Sequence, residues 1–175
     1  DKNEADRLLF RRQYLFGPGG VEYPGWNKQE MPNGYILSVH PDLEMSQFHG
    51  ERFEFVLLGY ILDPLNPAHS NQQVLETFDR TAGDIPSLLD LLYDKSGHYV
   101  LFVYNEELEI VLHDAGGLKQ VFYYRDEDGN TWLSSQSALV ALHKNLHVSE
   151  AASHYMSSEK YKKKLEPWWP ADCTP

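Results

Sequence analysis

The sequence predicts an α+β domain, and three observations carry that expectation. β-rich segments fall into two groups placed around a pair of helices. The most apolar run in the chain, Phe53 to Leu62, reads as a buried strand interrupted by Gly59. Within Gly97 to Leu139 two hairpin signals follow one another, each a pair of β-branched and aromatic runs around an acidic turn.

Taken in order, Asn3 can cap a short helix that carries Ala5, Leu8 and Leu9. Gln13 to Phe16 reads as a strand stopped by Gly17-Pro18-Gly19-Gly20. That loop lacks a following Lys-Ser/Thr and opens no helical pattern, so a turn is favoured over a phosphate cradle. Val21 to Asn33 reads as loop, with Pro24-Gly25 and Pro32-Asn33-Gly34 as breakers, and Tyr35 to Val39 as a strand. Gly59 marks either a bulge or a place where another backbone or a ligand approaches closely. Ser70 or Asn71 can cap a helix over Gln73 to Phe78, with Val74, Leu75 and Phe78 on one face. A second helix begins at Pro86 behind Asp84 and carries Leu88, Leu89, Leu91 and Leu92. Strands over Tyr99 to Tyr104 and Leu108 to Leu112 form the first hairpin, and those over Val121 to Tyr124 and Thr131 to Ser134 the second. Gln136 to His143 and Glu150 to Met156, the latter capped by Ser149, read as helices. Residues 1–157 are expected to form the domain, and the lysine- and proline-rich residues 158–175 a linker-like tail.

Composition narrows the partners. At 175 residues with 42% apolar content the chain can bury a core without staples. Its formal charge of -11 repels phosphate backbones and anionic lipid surfaces, so neither nucleic acid nor a membrane is expected as a partner. Cys173 is the single cysteine, which excludes an internal disulfide and fits a reducing compartment. No apolar run approaches the roughly 20 residues that span a bilayer. A cytoplasmic location is the expectation.

The segments Gly97-His98-Tyr99-Val100-Leu101-Phe102-Val103-Tyr104, Leu112-His113-Asp114-Ala115-Gly116-Gly117-Leu118-Lys119-Gln120-Val121-Phe122-Tyr123 and Leu133-Ser134-Ser135-Gln136-Ser137-Ala138-Leu139 resemble the second half of a class II glutamine amidotransferase domain. They are most similar to the N-terminal glutaminase domain of asparagine synthetases. That family carries a Gly-x-Phe-Ala strand, a Gly-Arg-Asp-x-x-Gly-x-x-Pro-Leu-Tyr segment and a Ser-Glu-x-Lys-Ala-Leu helix start. Upstream, Leu58-Gly59-Tyr60-Ile61-Leu62-Asp63 stands where the family has Asn-Gly-Glu-Ile-Tyr-Asn, and Ser70-Asn71-Gln72-Gln73-Val74-Leu75 where it has Ser-Asp-x-Glu-Val-Leu. The likeness covers roughly residues 53 to 157. It implies an Ntn-hydrolase-like four-layer α-β-β-α sandwich, two antiparallel sheets face to face with helices outside.

The chemistry departs from the family at four points. Its nucleophile is an N-terminal cysteine whose own α-amine is the base. Here Asp1 opens the chain and no Cys, Ser or Thr precedes Ser38. Leu58 replaces the asparagine that would donate to an oxyanion. Asn71 replaces the carboxylate that would grip the substrate α-amine, and no arginine stands near Tyr35 to Val39. The resemblance therefore implies a glutaminase-like domain without glutaminase activity, its vestigial pocket marked by Leu58, Gly59, Asn71 and Asp114. No catalytic residue, metal or cofactor is expected. The implied partner is a C-terminal synthetase-like domain of the same protein, and a homo-oligomer is allowed. The Ser-Gly-Gly-x-Asp-Ser loop of such a domain does not occur in this chain. The alternative is an active amidotransferase or hydrolase whose nucleophile lies upstream of Asp1.

Other constellations have plainer explanations. Asp114 is expected to accept backbone N–H groups in the Ala115-Gly116-Gly117 turn rather than to catalyse. His143 and His147 have the i, i+4 spacing of helical metal ligands, with His154 further on, yet Asn145 and Val148 suggest that the helix ends between them. Asp90, Asp94, Glu106 and Glu107 flank turns and read as a solvated face, and Lys160 to Lys164 as a surface or frayed helix end. Trp168-Trp169 could anchor an absent domain or fold back on this one.

Overall fold

The computed structural model describes residues 8–106 and 109–163. It divides into two compact units, Asp1–Val140 and Ala141–Pro175. The first is a mixed α+β unit built on two antiparallel sheets. A five-stranded sheet contains β1 (Tyr14–Pro18), β2 (Asn27–Glu30), β3 (Tyr35–Val39), β8 (Phe122–Arg125) and β9 (Thr131–Ser134), in the order β2-β3-β1-β9-β8. A four-stranded sheet runs in the order β4-β5-β6-β7, from β4 (Met45–His49), β5 (Glu54–Leu62), β6 (Ser96–Tyr104) and β7 (Glu109–His113). Between β5 and β6 lie α1 (Asn71–Thr81) and α2 (Ile85–Tyr93). The helix α3 (Ser137–Lys144) follows β9, and α4 (Glu150–Ser157) and α5 (Glu159–Lys162) belong to the second unit.

Side-chain alternation explains how the layers assemble. Along β5, Phe55 and Leu57 face α1 and α2, where they meet Val74, Leu75, Phe78 and Leu88. Val56 and Leu58 face the other way, into a core shared with Tyr14, Phe16, Leu37 and Val39 of the five-stranded sheet. Each such fully buried side chain contributes about 1.5–3 kcal/mol. On the far face of the five-stranded sheet, Leu15 and Trp132 meet Leu139 and Val140 at the start of α3.

Helix ends follow the local chemistry. Ser70, not Asn71, is the cap of α1: its hydroxyl accepts from the Gln73 N–H while the Gln73 side chain returns to the Ser70 N–H. Asp84 and Ser87 make the same reciprocal box at α2, and Pro86 occupies the first turn. Just past α3, Asn145 takes φ 52, with Leu146 N–H donating back to the Ala141 carbonyl at 2.8 Å, so the helix stops before His147.

Several expectations need correction. Val21 to Asn33 is not all loop, because Asn27–Glu30 pairs with β3 from Asn27↔Val39 to Glu30↔Ile36. Its four polar residues carry no apolar alternation, since this edge strand buries almost nothing. β4 likewise pairs along β5 without a fully buried residue of its own. β1 is not stopped at Phe16 but runs through Gly17 and Pro18 against β3. β9 reaches only Leu15 and Phe16, so the missing Pro18 N–H falls where β1 has one neighbour. Gly17 persists there because a Cβ would enter the Trp132 ring. The two hairpins belong to different sheets, and the Asp114–Gly117 break is where the chain crosses between them. Ser158 caps α5, so regular structure continues past residue 157. The Asn3 helix start, Glu107, Lys164, Trp168-Trp169 and Cys173 lie outside the described residues.

Candidate functional site

Leu58, Gly59 and Asn71 are neighbours around β5. Leu58 is fully buried between the sheets, an apolar group in an apolar core. Gly59 adopts φ 98 without leaving the ladder, where it pairs with Tyr99. A Cβ at Gly59 would collide with the His98 carbonyl oxygen, so it is a backbone rather than a ligand that comes close. The Gly59 N–H donates to the Glu44 carbonyl at 2.8 Å, and its carbonyl accepts from Asn71 Nδ2 at 3.0 Å.

Asn71, the first residue of α1, spends its whole amide on this region. Oδ1 accepts from the Ile61 N–H at 3.0 Å. Nδ2 faces the Gly59 carbonyl, Glu44 Oε1 at 3.1 Å and Ser46 Oγ at 3.3 Å. The side chain therefore ties a helix N-terminus to β5, to β4 and to the chain just before β4. A carboxylate here would keep the acceptor and lose the donor, and would stand beside Glu44 and a carbonyl. Asn71→Asp is expected to lower stability by about 2 kcal/mol at neutral pH, most of it recovered when the carboxylates are protonated. Urea unfolding at pH 7 and pH 4 checks this.

Asp114 turns away from that group. Its N–H donates to the Tyr99 carbonyl at 3.1 Å, across β6 from Gly59, so the two backbones stand two strand spacings or about 10 Å apart. Its carboxylate accepts the Leu118 N–H at 2.8 Å and the Lys119 N–H at 2.9 Å, and its carbonyl accepts the Gly117 N–H. Burial opposes ionisation, but these backbone donors and the nearby His98 outweigh it and hold the carboxyl below its ordinary range. Asp114 thus organises the crossover loop, with donors just beyond the turn the sequence pointed to.

Two further polar groups escape sequence reasoning because their partners are distant in the chain. Asp63 and Lys95, 32 residues apart, form a buried ion pair at 3.1 Å. The Asn66 side chain, working against burial, and then Lys95 and the Leu65 N–H lower the Asp63 carboxyl to about 2. Asp79 accepts the N–H groups of Glu51, Arg52 and Phe53, while Arg52 donates to the carbonyls of Asp79, Arg80 and Ala82. This clasp fixes the β4–β5 turn on the C-terminus of α1. Beside it opens a cleft of about 780 Å³ bordered by Glu51, Arg52, Glu54, Tyr104, Glu106 and Glu109. Burial, with the charges of Glu54 and Glu109, pushes the Tyr104 hydroxyl up.

Among the described residues no group of three or more His, Cys, Asp or Glu could hold a metal ion. His143 and His147 do not share a helical face, and Asp90 and Asp94 are exposed. No described helix is long and apolar enough to cross a membrane. No protein-family model matches the chain, and no curated protein matches it.

Proposed function

We propose that this chain is a glutaminase-like domain of the class II amidotransferase type that has lost glutaminase activity and acts as a structural or docking module. In this reading the two face-to-face sheets with α1 and α2 on one side and α3 on the other form an Ntn-type α-β-β-α sandwich. Its partner is a synthetase-like domain of the same protein, related to asparagine synthetase. The observation that carries the reading is the Asn71 amide: every donor and acceptor it owns is engaged within the fold. Leu58, sealed in the core, offers no hydrogen bond to an oxyanion.

Ammonia release from glutamine by the protein with its native N-terminus tests the proposal. No release above the uncatalysed background is expected at millimolar glutamine. Turnover that disappears on removal of a terminal cysteine would instead establish the active amidotransferase alternative.

A further inference from the structure

The two edges of the five-stranded sheet are built differently. Each is a strand of four residues, Asn27–Glu30 for β2 and Phe122–Arg125 for β8. β2 guards its edge with charge, since Lys28 and Glu30 lie within it and Lys28 pairs with Glu22. β8 reads Phe122-Tyr123-Tyr124-Arg125, with no charge before its last residue, and among the described residues its only ladder neighbour is β9. Tyr123 is 79% exposed, and Phe122 is exposed as well.

The register fixes which groups β8 presents. The Asp126 N–H donates to the Asn130 carbonyl at 3.0 Å, so Asp126 turns its backbone toward β9. In an antiparallel ladder every second residue does the same, so Tyr124 and Phe122 turn theirs toward Trp132 and Ser134. The backbones of Tyr123 and Arg125 therefore point outward, where another strand could meet them. Side chains alternate as well. Tyr123 stands opposite Leu133, on the face that meets the other sheet, while Phe122 and Tyr124 share the face of Trp132. Charge divides along the strand too: Lys119, whose N–H is held by Asp114, precedes it, and Glu127 and Asp128 stand exposed in the turn after it.

We propose that β8 is a self-association edge, at which a second copy of this chain adds its own β8 in antiparallel order about a two-fold axis. Outward-facing backbones must meet outward-facing backbones, and a two-fold at Tyr123 satisfies this. Tyr123 then faces the Tyr123 of the copy, and Phe122 faces its Tyr124, so the exposed aromatics become cross-strand pairs. Antiparallel order also carries Lys119 of each copy to the end where the other holds Glu127 and Asp128, whereas parallel order would set like charges together. That reciprocity selects a second copy over an unrelated strand. The formal charge of -11 on each copy opposes the approach, so the dimer is weak. The proposal is independent of the glutaminase-like reading, because β8 takes no part in the group around Gly59.

Sedimentation velocity from about 10 μM to about 1 mM protein, in about 0.15 M salt, tests the edge in wild type, Tyr123→Lys, Lys119→Glu and Glu127→Lys. Wild type is expected to pass from monomer to dimer within this range. Tyr123→Lys sets two ammonium groups face to face at an exposed position and is expected to weaken association at least about tenfold, and each charge reversal about fivefold. An equimolar mixture of Lys119→Glu with Glu127→Lys is expected to regain the wild-type association, because every reversed charge then meets its opposite; a variant that had merely misfolded would not be rescued. Hydrogen exchange is expected to slow at the Tyr123 and Arg125 amides as concentration rises. Three results would each overturn the proposal. Wild type could stay monomeric throughout, or form a dimer indifferent to all three substitutions. Protection of those two amides could also be independent of concentration, which would assign the edge to another segment of the same chain.

Discussion

Replacing Gly59 with alanine is expected to destabilise the protein by at least about 3 kcal/mol. Two costs add at this residue. Its φ of 98 lies where L-residues are strained, and an added Cβ meets the His98 carbonyl, a backbone atom of the paired strand that cannot rotate aside. Relaxation is blocked as well. The Gly59 N–H is held by Glu44, its carbonyl by Asn71, and its ladder position by Tyr99. Gly97, at φ 140 opposite Ile61, meets the Tyr60 carbonyl in the same way, so the β5–β6 pair depends on two glycines in close sequence register. Urea denaturation of Gly59→Ala measures the loss. A change below about 1 kcal/mol would show that the strands part easily there.

Lys95→Met is expected to cost about 3 kcal/mol at pH 7, because it leaves the buried Asp63 carboxylate with the Leu65 N–H, the Asn66 side chain and His69 Nδ1 at 3.7 Å but without its lysine partner. The pH dependence has a definite sign. Asp63 has a folded pKa lowered from 3.8 to about 2, so the wild-type contribution is fully present above the unfolded value and is lost as pH falls through the folded one. That shift corresponds to about 2 kcal/mol. In Lys95→Met the carboxyl protonates at higher pH, so wild type and variant converge on acidification before the wild type has lost its own contribution. Unfolding free energies between pH 2 and pH 7 give both curves. A gap between them that does not shrink with acid would mean that the cost is lost packing of the lysine stem rather than an unpaired charge.

What the sequence made legible follows from how local each cause is. The caps Ser70, Asp84 and Ser149 act within three residues, and the helix faces of Val74, Leu75 and Phe78 repeat within one turn. The apolar run of β5 announces a strand buried on both faces. Edge strands have no such signal. Asn27–Glu30 and Met45–His49 are specified by the neighbours they pair with, not by their own pattern. The same limit applied to the candidate site. Leu58, Gly59 and Asn71 stood out by their place in a motif, but that Asn71 spends its amide on Glu44, Ser46, Gly59 and Ile61 depends on a fold-level encounter. The buried Asp63–Lys95 pair and the Arg52–Asp79 clasp are of this kind as well. Asp114 was legible because its partners lie four and five residues on.

Titration of the isotopically labelled protein with glutamine, followed by the backbone amide resonances of Gly59, Ile61 and Asn71, bears most directly on the claim that this region is closed to substrate. Those resonances are predicted to stay in place up to tens of millimolar glutamine, with Nδ2 of Asn71 still bound to its internal acceptors. Saturable shifts at these residues at millimolar concentration, absent with glutamate, would contradict it.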